Sequence, residues 1–140
     1  MNARFFLDTN IFVYSFDRSA APKSRRAMHL IREGVSTRKG TVSCQVVQEF
    51  FNVALRRFSH PMPVADAEQY LATVFRPLLA VQSSQALYSE ALRLTGKHHL
   101  SWYDALIVAA ATEAGCGVLY SEDLQSGRRF GALRIENPFV

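Results

Sequence analysis

The sequence predicts an α/β domain, with a central, mostly parallel sheet and helices on both faces. Three observations carry this reading. Short apolar runs alternate with longer segments of helical periodicity along the whole chain. The joints between them fall at glycine, proline and serine. No repeat, linker or low-complexity stretch interrupts the pattern, so residues 1–140 read as a single domain, long enough to bury a core.

Phe5-Phe6-Leu7 is a short apolar run ending at Asp8, predicted as a buried strand. Residues 10–17 turn helical, and a second helix runs from Ser19 to Ile31 with Pro22 tolerated in its first turn. Gly34 to Gly40 is a polar break, followed by a strand at Thr41-Val42-Ser43. Gln45 to Phe58 predicts a helix, with Val46, Val47, Phe50, Phe51, Ala54 and Phe58 on one face. Pro61 and Pro63 mark a turn before a helix from Val64 to Phe75, which Pro77 ends. Leu78 to Val81 is the third strand. Ser83 or Ser84 caps a helix to about Thr95, where Gly96 stops it. Ser101 opens the most apolar helix, which ends near Gly115. Val118-Leu119-Tyr120 and Leu133-Arg134-Ile135 supply the last two strands, and Pro138 closes the chain.

Composition narrows the function. An apolar fraction of 49% argues against disorder, and a charged fraction of 20% is ordinary for a globular protein. No run of 18 apolar residues predicts a membrane span. The opening Met1-Asn2-Ala3-Arg4 leads into an apolar run too short for a signal peptide. Cys44 and Cys116 have no CxxC spacing, so neither a zinc site nor a disulfide framework is expected; they read as buried thiols of a reducing cytoplasm. The net charge is +4, and arginine supplies 13 of the 16 basic residues. Its planar fork suits phosphate. That surplus fits a polyanionic partner, or equally an acidic protein.

Four carboxylates stand where strands should end or helices begin: Asp8, Glu49, Asp104 and Asp123. Carboxylates among apolar segments are costly unless something positive neutralises them, and a divalent metal is the simplest candidate. In a parallel sheet the ligand crevice lies outside the carboxyl ends of the strands, where all four can converge. Each also has a plainer reading. Asp8 can cap the next helix, with Thr9 and Asn10 either sharing that role or orienting the carboxylate. Glu49 lies off the apolar stripe of its helix, as a solvated residue would. Asp104 is the only charge between Trp102 and Ala111, and Ser101-x-x-Asp104 resembles a capping box. Asp123, in Ser121-Glu122-Asp123, can be a turn residue, and Glu122 competes with it as a ligand. His29, His60, His98 and His99 lack metal-ligand spacing, and His98 and His99 read as loop residues. The pairs Arg25/Arg26, Arg56/Arg57 and Arg128/Arg129 are phosphate contacts only if the acidic cluster is real.

Leu7-Asp8-Thr9-Asn10, Glu49, Trp102-Tyr103-Asp104-Ala105 and Ser121-Glu122-Asp123-Leu124 together resemble the four acidic motifs of PIN-domain ribonucleases. Their order and spacing resemble the toxin member of VapBC toxin–antitoxin modules, and Asn137-Pro138-Phe139 resembles a tail found in a subgroup of them. The resemblance implies a three-layer α/β/α fold and an endoribonuclease dependent on Mg²⁺ or Mn²⁺. It also implies a homodimer and a cognate antitoxin that blocks the crevice. Asp8 and Asp104 match the principal metal ligands, Glu49 and Asp123 the supporting acids, and Thr9, Asn10 and Ser121 small polar positions around them. Ser121 stands where threonine is frequent, and Glu122 is an additional acid. The expected chemistry is hydrolysis of single-stranded or looped RNA by metal-activated water, leaving a 5′-phosphate and a 3′-hydroxyl. Two other classes fit parts of the pattern: a module that binds RNA or protein without cutting, and a phosphatase with Asp8 as nucleophile. The second lacks the further Asp expected two positions on, where Asn10 stands.

Overall fold

The computed structural model describes residues 3–140; Met1 and Asn2, in the polar opening, lie outside the described residues. Six strands form one sheet: β1 Phe5–Leu7, β2 Gly40–Ser43, β3 Leu79–Val81, β4 Val118–Tyr120, β5 Arg129–Phe130 and β6 Leu133–Glu136. Their order is β3-β2-β1-β4-β6-β5, parallel throughout except for the antiparallel β5–β6 pair. The helices are α1 Thr9–Tyr14, α2 Ala21–Thr37, α3 Cys44–Ala54, α4 Val64–Tyr70, α5 Arg76–Leu78, α6 Gln85–His98 and α7 Trp102–Glu113. β1 and β2 are buried along their whole length, as strands sandwiched between helical layers are. The three-layer α/β/α arrangement follows the expectation from the alternating pattern.

The winding sets where a site can form. The chain builds outward from β1 through β2 to β3, then returns to place β4 on the other side of β1. This reversal makes the β1–β4 junction the topological switch point, where a crevice opens at the carboxyl ends. Asp8 leaves β1 at that point and Ser121 leaves β4, in a register that pairs Leu7 with Tyr120. The Asp8 amide donates to the Tyr120 carbonyl at 3.1 Å, which carries the pairing one residue past the strands.

Several boundaries differ from expectation: the helix expected over residues 10–17 stops at Tyr14, and Leu78, expected in the third strand, closes a helix. Gly34 does not break the second helix, which continues to Thr37 and ends at Arg38 with φ 61°. Gly34 instead faces Gly40, and a Cβ built on Gly40 would stand 2.5 Å from the Gly34 Cα. Gly96 lies inside α6, whose left-handed cap is His99 with φ 58°; His98 is therefore helical and His99 the cap. Pro77 does not end its helix: a π turn at Leu71–Phe75 widens the backbone just before it, and the helix continues to Leu78. α3 stops at Ala54, but Phe58 still packs against the core as expected. β5 was not expected at all. Cys116 is buried with its thiol 3.0 Å from Thr41 Oγ1, whereas Cys44 is only partly buried, 3.1 Å from Ser83 Oγ. Among the described residues no helix is long and apolar enough to cross a membrane.

An aromatic cluster locks the helices nearest the crevice. Phe12 of α1 lies 4.9 Å from Phe75, and Phe50 of α3 stacks on Tyr70 of α4 at 5.2 Å. Gly40→Ala is expected to destabilise the domain by about 1–3 kcal/mol, because the added methyl meets backbone instead of a yielding side chain. Urea unfolding at neutral pH measures it.

Candidate functional site

Asp8 is 8% exposed and ends β1 in extended geometry, which lets it cap α1. Its Oδ1 accepts from the Thr9 amide at 2.7 Å, and its Oδ2 accepts from Ser121 Oγ at 2.7 Å. The capping role and the orienting role are thus combined in one residue. Ser121 is fully buried, and its oxygen also accepts from the amides of Asp123 and Leu124 at 3.2 and 3.4 Å. One hydroxyl therefore ties Asp8 to the turn that carries Asp123.

The other acids are reached through neutral side chains. Thr9 Oγ1 donates to Glu49 Oε1 at 2.6 Å, and Asn10 Nδ2 donates to Asp123 Oδ2 at 3.3 Å. Gln45 Nε2 donates to Glu49 Oε2 at 3.3 Å and to the Tyr103 carbonyl at 3.4 Å. Gln45 links α3 to the first turn of α7, where Ser101 Oγ accepts the Asp104 amide at 3.3 Å. Asp104 is the next residue after Tyr103 in that turn and is partly buried. Glu49, off the apolar stripe, turns its flank toward Thr9 and not to open solvent. Glu122 departs from this arrangement: it accepts from Tyr14 Oη and from Lys23 Nζ, each at 2.6 Å. Those two donors hold its carboxyl below the usual range.

Burial pushes the Asp8 carboxyl up, from its ordinary 3.8 to about 6. The Ser121 and Thr9 hydrogen bonds oppose the rise, while the charges of Asp123 and Glu49 add to it. Negative charge thus accumulates at the β1–β4 junction. Two acceptors nearby are also unpaired among the described residues: buried Asn10 Oδ1 and buried Ser43 Oγ, which the β1–β2 register sets beside Asp8. The donor set is all hard oxygen, the type Mg²⁺ and Mn²⁺ prefer. Among the described residues no three His, Cys, Asp or Glu side chains stand close enough to form a closed metal cage. Mg²⁺ commonly uses one or two carboxylates and keeps several waters, so the residue types fit it without such a cage.

Gln45, Tyr14 and Lys23 were not singled out from the sequence. Gln45 had one usable signal, its position one helical turn before Glu49. Lys23 and Tyr14 had none, because 99 and 108 residues separate them from Glu122.

The raised Asp8 pKa carries a stability cost with a definite sign. Between about pH 4 and 6 the folded chain binds a proton there that the unfolded chain has lost, so stability falls as pH rises through that window. Above it the cost is constant, about 3 kcal/mol. Asp8→Asn is therefore expected to stabilise the metal-free protein at pH 7 and to have much less effect at pH 4. Urea unfolding in chelator at both values measures the difference.

The β3-β2-β1-β4-β6-β5 fold has counterparts among known structures. Similar solved structures include a toxin–antitoxin complex from Klebsiella pneumoniae, with TM-score 0.66, 18% identity and coverage of 95% of this chain and 96% of that one. The sarcin–ricin-loop-cleaving toxin VapC20 of Mycobacterium tuberculosis aligns with TM-score 0.60 and 23% identity, over 85% and 89% of the two chains. FitAcB of Neisseria gonorrhoeae aligns with TM-score 0.66 and 15% identity, over 96% and 98%. No curated protein matches the sequence. The family model for the PIN domain matches residues 5–129, from the first residue of β1 into β5 and so across all four acidic positions, and the chain belongs to that family.

Proposed function

We propose that this chain is a divalent-metal-dependent endoribonuclease and the toxin of a toxin–antitoxin pair. The observation that carries the reading is the buried Asp8 carboxylate, tied to Asp123 through Ser121 and to Glu49 through Thr9. PIN-domain membership supports a nuclease. VapC20 is described as cleaving the sarcin–ricin loop, and similar folds occur in toxin–antitoxin complexes, which supports RNA as substrate and an antitoxin as partner. A homodimer and a cytoplasmic location complete the proposal.

Asp8 and Asp104 would hold Mg²⁺ or Mn²⁺, with Glu49 and Asp123 supporting them. When bound, the ion supplies the charge that acidifies a water and neutralises the phosphodiester. Thr9 keeps Glu49 directed at the site and Asn10 keeps Asp123 near it. Glu49 and Asp123 would orient the attacking water and take its proton. The products would carry a 5′-phosphate and a 3′-hydroxyl.

Asp8→Asn or Asp104→Asn should each lower cleavage of a structured RNA by about 10²-fold or more, in line with the loss of a group acting only in the transition state. Glu49→Gln and Asp123→Asn should cost less. Chelation should abolish cleavage and Mn²⁺ restore it. Full activity in the two principal variants, or binding of RNA with no cleavage in any divalent ion, would place the domain among binding modules. Coexpression with the product of a small adjacent reading frame should suppress activity if that product is the antitoxin.

A further inference from the structure

Glu122 sits between Ser121 and Asp123, yet its carboxylate is engaged elsewhere. Tyr14 and Lys23 each donate to it at 2.6 Å, and Lys23 Nζ also reaches Tyr14 Oη at 3.3 Å. The end of the chain closes over this knot. The Phe139 ring meets Tyr14 edge-on at 5.0 Å, and Lys23 Nζ lies 4.6 Å from the Tyr14 centroid and 5.6 Å from that of Phe139. Arg26 Nε donates to the Pro138 carbonyl at 3.4 Å. Asn137 turns the tail by accepting from the Phe139 amide at 2.9 Å, and its own amide donates to Ser126 Oγ at 3.2 Å.

A lone exposed ion pair would do little here. Lys23 and Glu122 are 38% and 25% exposed, but this ammonium serves a carboxylate, a phenol and two ring faces at once. Its partners lie on different parts of the fold. Glu122 is in the 121–128 segment, which has no regular secondary structure. Tyr14 is the last residue of the helix that Asp8 begins. Lys23 is in the first turn of α2, and Phe139 is in the tail. The knot therefore braces the helix of Asp8, Thr9 and Asn10 against the turn of Ser121 and Asp123, at the end opposite the Ser121–Asp8 bond.

We propose that Tyr14, Lys23 and Asn137-Pro138-Phe139 form a latch that holds the 121–124 turn and thereby positions Asp123 against Asp8. Lys23 and Phe139 are positioning residues that act through Glu122 and touch no reacting atom. The effect on cleavage rests on the nuclease reading; the effect on the turn does not.

Hydrogen exchange in the metal-free protein tests the latch. In Lys23→Met and Phe139→Ala the amides of Asp123 and Leu124 should exchange at least about tenfold faster, while that of Leu119 in β4 keeps its native rate. Lys23→Arg and Tyr14→Phe, milder changes, should be intermediate. Mn²⁺ titration read by quenching of Trp102, the single tryptophan, should show affinity weakened by about three- to tenfold in Lys23→Met, with kcat reduced and KM near native. Native exchange at Asp123 and Leu124 in both variants overturns the latch, as does acceleration that includes Leu119, which marks general destabilisation. Faster exchange with unaltered Mn²⁺ affinity overturns its role in placing Asp123. A native chain that binds no Mn²⁺ and cuts no RNA defeats the nuclease reading instead, and the exchange rates still decide the latch.

Discussion

Placing one carboxylate inside the fold, where the winding of the sheet reverses, constrains most of what surrounds it. Asp8 cannot move toward water: it follows a fully buried strand, its amide is paired to Tyr120, and its side chain caps α1. Two hydrogen bonds partly compensate its lost hydration, and the raised pKa shows that they do not suffice. The surrounding structure must hold the group against that cost. Strand order supplies the position, because the winding reverses at the β1–β4 junction and its parallel register sets Asp8 after β1 beside Ser121 after β4.

The restraint comes from apolar packing on the other side of the same helices. Phe12 is fully buried on α1 and Phe50 on α3, and both contact Phe75. Each helix is thereby fixed in rotation. With an apolar flank pinned, Thr9 and Asn10 on α1 and Gln45 and Glu49 on α3 have one direction left, toward the crevice. The aromatic cluster thus orients polar groups that it does not touch, and the short bonds from Thr9 to Glu49 and from Ser121 to Asp8 follow from that placement. The site's geometry is a consequence of core packing on amphipathic helices.

What could be read in the sequence follows the range over which each signal acts. Uniformly apolar runs such as Phe5-Phe6-Leu7 and the all-round apolar Trp102–Glu113 segment declare strand and buried helix locally. The acids were visible because each interrupts or borders such a segment. The misread positions are those where a distant partner decides. Gly34 looked like a stop because its contact with Gly40 lies across a helix–strand interface. Gly96 looked like a cap because local composition does not show that His99 takes the left-handed conformation. β5 is two residues long and depends wholly on β6. The Glu122 partners are invisible for the same reason, so the sequence favours Asp123 as the ligand but leaves Glu122 as a competing or auxiliary one. In the fold, Asp123 is bonded to Asn10 beside Asp8, while Glu122 accepts from Tyr14 and Lys23.

The distribution of charge carries the last step. This chain has 13 arginines, more than enough to neutralise its acids by direct pairing. Ion pairs do form, among them Arg93–Glu90, Arg134–Glu136 and Lys23–Glu122. Among the described residues none involves Asp8, Glu49, Asp104 or Asp123. The groups that contact Asp8, Glu49 and Asp123 are instead neutral: Thr9, Asn10, Gln45 and Ser121. An arginine at that distance would have lowered the Asp8 pKa and removed the electrostatic reason for any cation to enter. Neutral donors fix direction without cancelling charge, so the cluster keeps its field. Lys23, which reaches the turn, is held on Glu122, whose side chain is bonded to Tyr14 and Lys23 and not to Asp8. Such a division, with ion pairs at the periphery and only hydrogen bonds at the centre, gives an arginine-rich fold a place for positive charge that its own side chains do not fill.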